Sequence, residues 1–401
     1  MSDRAHLAAH LFEANGRRTA VFLPFALDDL LAGWARVQRT MIRRRPDEFT
    51  RDEWAYLIAF LDESNLLAPF ADAFGIRSND ASESVPLASI ARLARPRGPI
   101  AIWLPNNVSL LGPLTIILAA LTGDPIRVKA ASRVDDLATA FVSFAREQCG
   151  DDALAVVLDT IAIERFDRDD PRNRAMAADA KLRIVFGSDA TAAAIDALPH
   201  SIDSIGFAFS DRASEVWLDC DRLDDETLRV LIRVFAVYGR AGCTSPRRVV
   251  LLGGTPSDAQ TLRDRLAALW PSVVTSDLPM HLASQNVMAR QWAAALGWDA
   301  VVAGRNAAVV ASGGLDHLPA DSPLFLPIVS ATVEEAARTL PRNIQTLGHN
   351  GSEAWLSDVL PRLAATPVKR IVPIARMHHF GALWDGFSFW RAAFEEVEVS
   401  R

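Results

Sequence analysis

The chain has 401 residues, half of them apolar and 23% charged, more than a single hydrophobic core usually organises, so two domains are expected. Lys and Arg number 42 against 49 Asp and Glu, a formal net charge of −7 that argues against a general electrostatic grip on nucleic acid or anionic lipid and favours a small-molecule substrate. Cys149, Cys220 and Cys243 are odd in number and irregular in spacing, so neither a disulfide framework nor a zinc site is expected, and a reducing, cytoplasmic setting is.

The amino terminus lacks a basic region followed by an apolar run. The most apolar stretch, Val108 to Leu121, is about two-thirds of the ~20 residues that span a bilayer, so no leader and no membrane span is expected. Apolar residues recurring at three and four predict helices over Ala26–Arg43 and Arg51–Phe70, and the N-terminal part reads as helical. Polar Arg77–Glu83 reads as a hinge or loop. At Gly98 the pattern changes: GPIAIWL (98–104) suits a buried strand, Ser109–Leu121 a helix, and PIRVK (125–129) a second strand. A helix is expected from about Val134 to Cys149, a strand over Leu154–Leu158, a charged loop at Asp167–Arg174, and a strand over LRIVF (182–186). That strand runs into Gly187-Ser188-Asp189 and a helix near Thr191. This alternation predicts a parallel sheet with helices on both faces, the usual host of a nucleotide.

Beyond Ser204, strands are expected over Ile205–Phe209 and Glu215–Leu218, then an amphipathic helix over Asp224–Tyr238 that ends at Gly239. A fresh α/β run follows: strand Arg248–Leu252, helix Pro256–Leu269, and strands over Ala300–Val302 and Ala307–Ala311. The expected division is therefore 1–218 for the N-terminal helices and a Rossmann-like cofactor-binding domain, 219–370 for a second α/β domain, and 371–401 for a tail packing back on the body.

The segment with most chemical content is YGRAGCTSPRRVVLLGG (238–254), in which a helix stops at a glycine and a cysteine follows in a turn. Gly242 removes a side chain from the approach to the Cys243 thiol, and Pro246 stiffens the exit. A free cysteine is commonly a small buried hydrophobe, but this context favours a presented, reactive one. The preceding helix turns its negative end to Cys243 and would raise the thiol pKa, so activation must come from elsewhere. Arg240, Arg247 and Arg248 are nearby cations, although solvent-facing arginines are the commoner outcome. His378 and His379, adjacent residues expected on opposite faces of a strand, are not a chelating pair and read as packing. Trp384, Phe387, Phe389 and Trp390 read as core or as the wall of an acyl tunnel.

Three segments, GRAGCTSPRRVVLLGG, IAIWLPNNVSLLGPL and RIVPIARMHHFGALWDG, together resemble the acyl-CoA reductase family typified by the reductase subunit of bacterial bioluminescence, a branch of the aldehyde dehydrogenase superfamily. The resemblance runs from about residue 95 to 390. It implies an aldehyde-dehydrogenase-like α/β fold and reduction of a fatty acyl thioester, from acyl-CoA or an acyl-carrier protein, to the aldehyde. It also implies that Cys243 is the nucleophile and that Asn107, flanked by Asn106, binds the oxyanion together with the Cys243 N–H. Lys129 stands at the place that reaches the cofactor's adenosine ribose, and Gly187 and Ser188 where the pyrophosphate approaches a helix start. Ser132 replaces the glutamate common in NAD-preferring relatives and Arg133 adds a cation, which favours NADPH over NADH. Phe325 and Pro327 keep the register of a motif that orients the nicotinamide ribose, while Pro323 replaces its glutamate. The superfamily's Glu-Leu-Gly-Gly strand, whose glutamate activates the deacylating water, has no counterpart in Ile205–Leu218. That departure suits a reductase. A homodimer and an acyl-activating ligase partner are further implications. Two other readings are kept, a Cys-dependent acyltransferase and a non-catalytic acyl-binding subunit of a multi-enzyme complex.

Overall fold

The structure, a computed structural model, describes residues 7–78, 89–131, 136–238, 242–275, 280–304, 309–315, 325–381 and 383–400. Asn15 and Gly16 both adopt positive φ, 52° and 71°, as the tight turn of a hairpin requires, and they join the antiparallel strands Ala8–Ala14 and Arg17–Leu23. This hairpin corrects the expectation of a helical N-terminal part at its first strands. Helix Leu27–Met41 follows, with Leu27, Leu30, Leu31, Trp34, Val37 and Met41 buried along one stripe. The expected helix over 51–70 is two helices, Arg51–Phe60, opened by a Thr50/Glu53 capping box, and Glu63–Phe74.

Two compact units are formed, Met1–Ser210 with Phe380–Arg401, and Asp211–His379. The division falls eight residues before the expected one at 218, because strand Ala213–Asp219 pairs with Pro246–Leu252 and Ile344–His349 of the second unit. The tail is divided too: 371–379 belongs to the second unit, and strand Phe394–Glu398 pairs with Ile90–Pro96 in the first.

In the first unit one sheet has the order Phe394–Glu398, Ile90–Pro96, Arg17–Leu23, Ala8–Ala14, Ile76–Arg77. The other is parallel throughout, in the order Ala162–Glu164, Ile126–Lys129, Ile100–Trp103, Leu182–Gly187, Ile205–Ser210. Leu154–Leu158, expected as a strand, lies in helix Ala153–Asp159, capped by the Asp152 side chain. Leu154, Val157 and Leu158 are buried at helical spacing, and the strand of that region is the more polar Ala162–Glu164. From the central strand Ile100–Trp103 the chain winds outward first one way and then the other. Its switch point lies between Ile100–Trp103 and Leu182–Gly187, at whose carboxyl ends open α/β sheets bind ligands.

The second unit holds a sheet in the order Asp299–Val302, Val309–Ser312, Phe325–Ala331, Pro246–Leu252, Ala213–Asp219, Ile344–His349, Arg370–Pro373, parallel except for the first strand. Val216, Leu218, Val249 and Leu251 pack on one face with residues of helices Asp225–Tyr238 and Pro256–Val273. Trp217, Val250, Phe325, Val329 and Leu347 form the opposite layer. Each such aliphatic or aromatic side chain removed from water contributes about 1.5–3 kcal/mol. Among the described residues no helix is long and apolar enough to cross a membrane.

Candidate active site

In the first unit the residues singled out by sequence gather at the carboxyl edge of the parallel sheet. Asn106 and Asn107 are exposed in the bend after strand Ile100–Trp103. Lys129 ends the neighbouring strand, its ammonium 5.5 Å from the centroid of the Phe166 ring, whose surroundings also include the Arg172 guanidinium at 4.5 Å. Burial pushes the Lys129 pKa down, opposed by Asp167. The loop carrying these partners is fixed by Asn173, which accepts from Trp103 Nε1 at 2.9 Å and donates to the Arg168 carbonyl at 2.8 Å.

Gly187 closes strand Leu182–Gly187 on the other side of the switch point. A Cβ there would stand 3.2 Å from Thr191 Cβ and Cγ2, so glycine keeps the strand-to-helix turn open. The Ser188 hydroxyl accepts from the Thr191 N–H at 3.2 Å and so caps helix Asp189–Asp196. The first helical residue, Asp189, accepts from Ser210 Oγ at 2.5 Å, so this helix start already holds a carboxylate.

In the second unit the Ser245 N–H donates to the Gly242 carbonyl at 3.1 Å, which makes 242–245 a β-turn with Cys243 and Thr244 at its corners. The Cys243 thiol is free of any disulfide and half-buried. The turn enters strand Pro246–Leu252, so Cys243 lies at the amino edge of the second sheet. Two side chains remote in sequence hold it. Ser214, fully buried in the adjacent strand, donates its hydroxyl to the Cys243 carbonyl at 2.7 Å. His378 approaches Thr244 Oγ1 with Nδ1 at 2.7 Å and the Val234 carbonyl with Nε2 at 2.6 Å. A carbonyl only accepts, so Nε2 carries the proton and Nδ1 accepts from the Thr244 hydroxyl. Burial keeps the His378 pKa below its ordinary value, the Val234 bond opposes this, and the charge of Arg370 reinforces it.

Several expectations are changed by this geometry. Arg248 is not a free cation beside the thiol: it is buried and paired to Glu215 at 2.7 Å, with Thr339 Oγ1 at 3.1 Å. Burial raises the Glu215 pKa while Arg248 opposes it. Phe325 is wholly buried in the apolar layer of the second unit, a core position with no exposed surface to offer a ligand. His378 and His379 follow the 3-10 turn Ile374–Arg376 rather than lying on a strand. Ser132, Arg133, Pro323 and Arg240 lie outside the described residues. Asn107 belongs to the first unit and Cys243 to the second. Nothing in the sequence singles out Thr244, Ser214 or Arg370, and His378 reads there as packing. The one local signal was a hydroxyl residue directly after the cysteine.

The chain is similar in fold to an NAD-dependent aldehyde dehydrogenase from Sinorhizobium meliloti, with TM-score 0.66 and 13% identity over 94% of this chain and 83% of that one. It is likewise similar to an aldehyde dehydrogenase from Bartonella henselae, with TM-score 0.64 and 10% identity over 93% and 87% of the two chains. Aldehyde dehydrogenase 21 from Physcomitrella patens matches with TM-score 0.63 and 13% identity over 94% and 86%. None of the curated proteins compared by sequence matches. Residues 88–390 match the family described as Acyl-CoA reductase (LuxC), and the chain belongs to that family. It is thus an acyl-CoA reductase, an enzyme that forms an aldehyde.

Proposed function

We propose that the enzyme reduces a fatty acyl thioester to the aldehyde with NADPH, through an acyl group carried on Cys243. The observation that carries this reading is the Cys243 turn, whose backbone is held by Ser214 and by Thr244 with His378 in a chain of the acyl-CoA reductase family. The Cys243 thiol gives up its proton, its sulfur attacks the acyl carbonyl, and the bond to the donor's sulfur breaks, releasing the free thiol. The new thioester is as reactive as the old. The N–H of Cys243 holds the developing oxyanion, a donor of this kind being worth a few kcal/mol in a dry site. When bound, the nicotinamide supplies the hydride that takes the acyl carbon to the aldehyde level. The carbon–sulfur bond to Cys243 then breaks, aldehyde leaves, and the Cys243 thiolate takes a proton from solvent, which restores the thiol.

Two observations support hydride rather than water as the acceptor of the acyl group. Strand Ile205–Ser210 carries no carboxylate, and Glu215, in the next strand, is committed to Arg248. For the cofactor, the open turn at Gly187 and the sheet's switch point suit a dinucleotide, and Lys129, Gly187 and Ser188 are the residues that would hold it. Ser132 and Arg133 favour the 2′-phosphate of NADPH over NADH. The carboxylate of Asp189 works against an anion at that helix start, so Lys129 and backbone N–H groups carry more of the binding. Acyl-CoA is the proposed donor, with an acyl-carrier protein as alternative, and a homodimer working with an acyl-activating ligase is the proposed assembly.

The test is Cys243→Ala. The variant loses acyl-enzyme formation and reductase turnover while binding NADPH as the parent does, followed by intact mass, aldehyde release and cofactor titration. Undiminished turnover would refute the proposal.

A further inference from the structure

The mechanism leaves unused the half-buried imidazole of His378, hydrogen-bonded through both ring nitrogens. We infer that His378 is a positioning residue for Cys243, acting through Thr244 to fix the turn that presents the thiol and the Cys243 N–H. The inference rests on the reading of Cys243 as the acylated nucleophile.

The ring joins the two segments whose relative placement sets the cysteine. Its Nε2–H donates to the Val234 carbonyl near the carboxyl end of helix Asp225–Tyr238, and its Nδ1 accepts from Thr244 at the corner of the cysteine turn. With both nitrogens engaged, the ring has none with which to take the proton of Cys243, so its part is geometric rather than acid–base. The ring is itself anchored. Arg370 donates to three carbonyls around it, those of Arg376 at 2.7 Å, Met377 at 2.9 Å and His379 at 2.9 Å. Met377 is fully buried, and a Cβ on Gly348 would lie 2.4 Å from its sulfur, so this segment is seated directly on strand Ile344–His349. A displacement of about 1 Å at a reacting group can cost on the order of 100-fold in rate.

The two hydrogen bonds can be separated by near-isosteric replacements. In His378→Gln the amide nitrogen reaches the place of Nε2 and keeps the Val234 bond while losing the one to Thr244. In His378→Asn the amide oxygen takes the place of Nδ1 and keeps the Thr244 bond while losing the other. Thr244→Val deletes the hydroxyl at constant shape, and Thr244→Ser returns it. The experiment follows acylation of Cys243 by long-chain acyl-CoA with time, by intact mass, in the full-length enzyme and these variants at equal thermal midpoints. The expected result is a 10- to 100-fold slower acylation in Thr244→Val and His378→Gln, with kcat lowered and KM for acyl-CoA unchanged. Thr244→Ser and His378→Asn recover most of the rate, and the double variant Thr244→Val/His378→Gln is no slower than the slower single one, since both break the same bond. Should His378→Gln fail to fold, the Thr244→Val and Thr244→Ser pair decides alone. Parental acylation rates in Thr244→Val, or additive losses in the double variant, overturn the inference.

If the parent enzyme takes no acyl group on Cys243, the proposed function fails, and the positioning claim is then read from alkylation of Cys243 by iodoacetamide. A several-fold change of that rate in Thr244→Val, reversed in Thr244→Ser, supports positioning, and equal rates in all variants overturn it.

Discussion

The two units carry parallel sheets of similar grammar but use opposite edges. In the first, Asn107, Lys129 and Gly187 lie where strands end, and the local chain suffices to place them: a strand, a short turn and a helix start. In the second, Cys243 lies where a strand begins, in a turn that bonds to Ser214, 29 residues away, and through Thr244 to His378, 134 residues away. The carboxyl edge of a doubly wound sheet offers backbone donors to whatever ligand arrives. A residue acting as the nucleophile proposed for Cys243 must instead be held in one orientation before substrate binds, and distant side chains supply that rigidity.

The comparison breaks most readily at the buried pair behind the second edge. Glu215 and Arg248, both nearly inaccessible, lie one residue from Ser214 and five from Cys243. Arg248→Met leaves a buried carboxylate without its partner and is expected to lower stability by about 3–5 kcal/mol in denaturant melts, whereas Arg248→Met with Glu215→Leu recovers most of that loss. On the first edge, Asn107→Ala leaves stability unchanged within ~0.5 kcal/mol, since the residue is exposed, yet slows acylation on the order of 100-fold if it binds the oxyanion. A loss of stability equal to that of Arg248→Met would place Asn107 among the packing residues.

A smaller effect is a pH dependence local to the buried and half-buried histidines of both units. Burial holds His349 and His378 of the second unit, and His10 of the first, below the ordinary histidine pKa. His10 Nε2 accepts from the Leu27 N–H at 3.0 Å, a bond the protonated ring cannot accept. These rings stay neutral in the folded protein while the unfolded chain takes up protons near pH 6.5. Their contribution is therefore complete above about pH 6.5 and is lost as pH falls below it toward the folded-state values. Hydrogen exchange between pH 7 and 5 is expected to rise earlier around the Cys243 turn than along the sheet Ile100–Trp103, and His10→Asn to remove the dependence at helix Leu27–Met41.

How much of this was legible follows the same divide. The alternation from residue 98 to 209 gave the parallel sheet of the first unit nearly strand by strand, because each element announces itself by period and punctuation. The miss at Leu154–Leu158 came from a run too short for its period to tell helix from strand. The hairpin at Asn15-Gly16 had a local signal, Asn-Gly between alternating residues, that the helical texture beyond Ala26 overshadowed. Cys243 itself stood out by its turn. The Ser214 and His378 contacts did not, since nothing in a single chain of letters marks a bond across 134 residues. Arg248 was misjudged because a pair of arginines at a strand start looks solvated until Glu215 is found opposite.

The central claim is the acyl group on Cys243 and its reductive release. Intact mass of the enzyme after incubation with a series of acyl-CoAs, then after addition of NADPH, tests it directly. A gain of one acyl group that maps to Cys243 and disappears with release of aldehyde is the predicted result. A gain that NADPH leaves in place, or that an amine or alcohol removes instead, would contradict the reductase mechanism and favour acyl transfer.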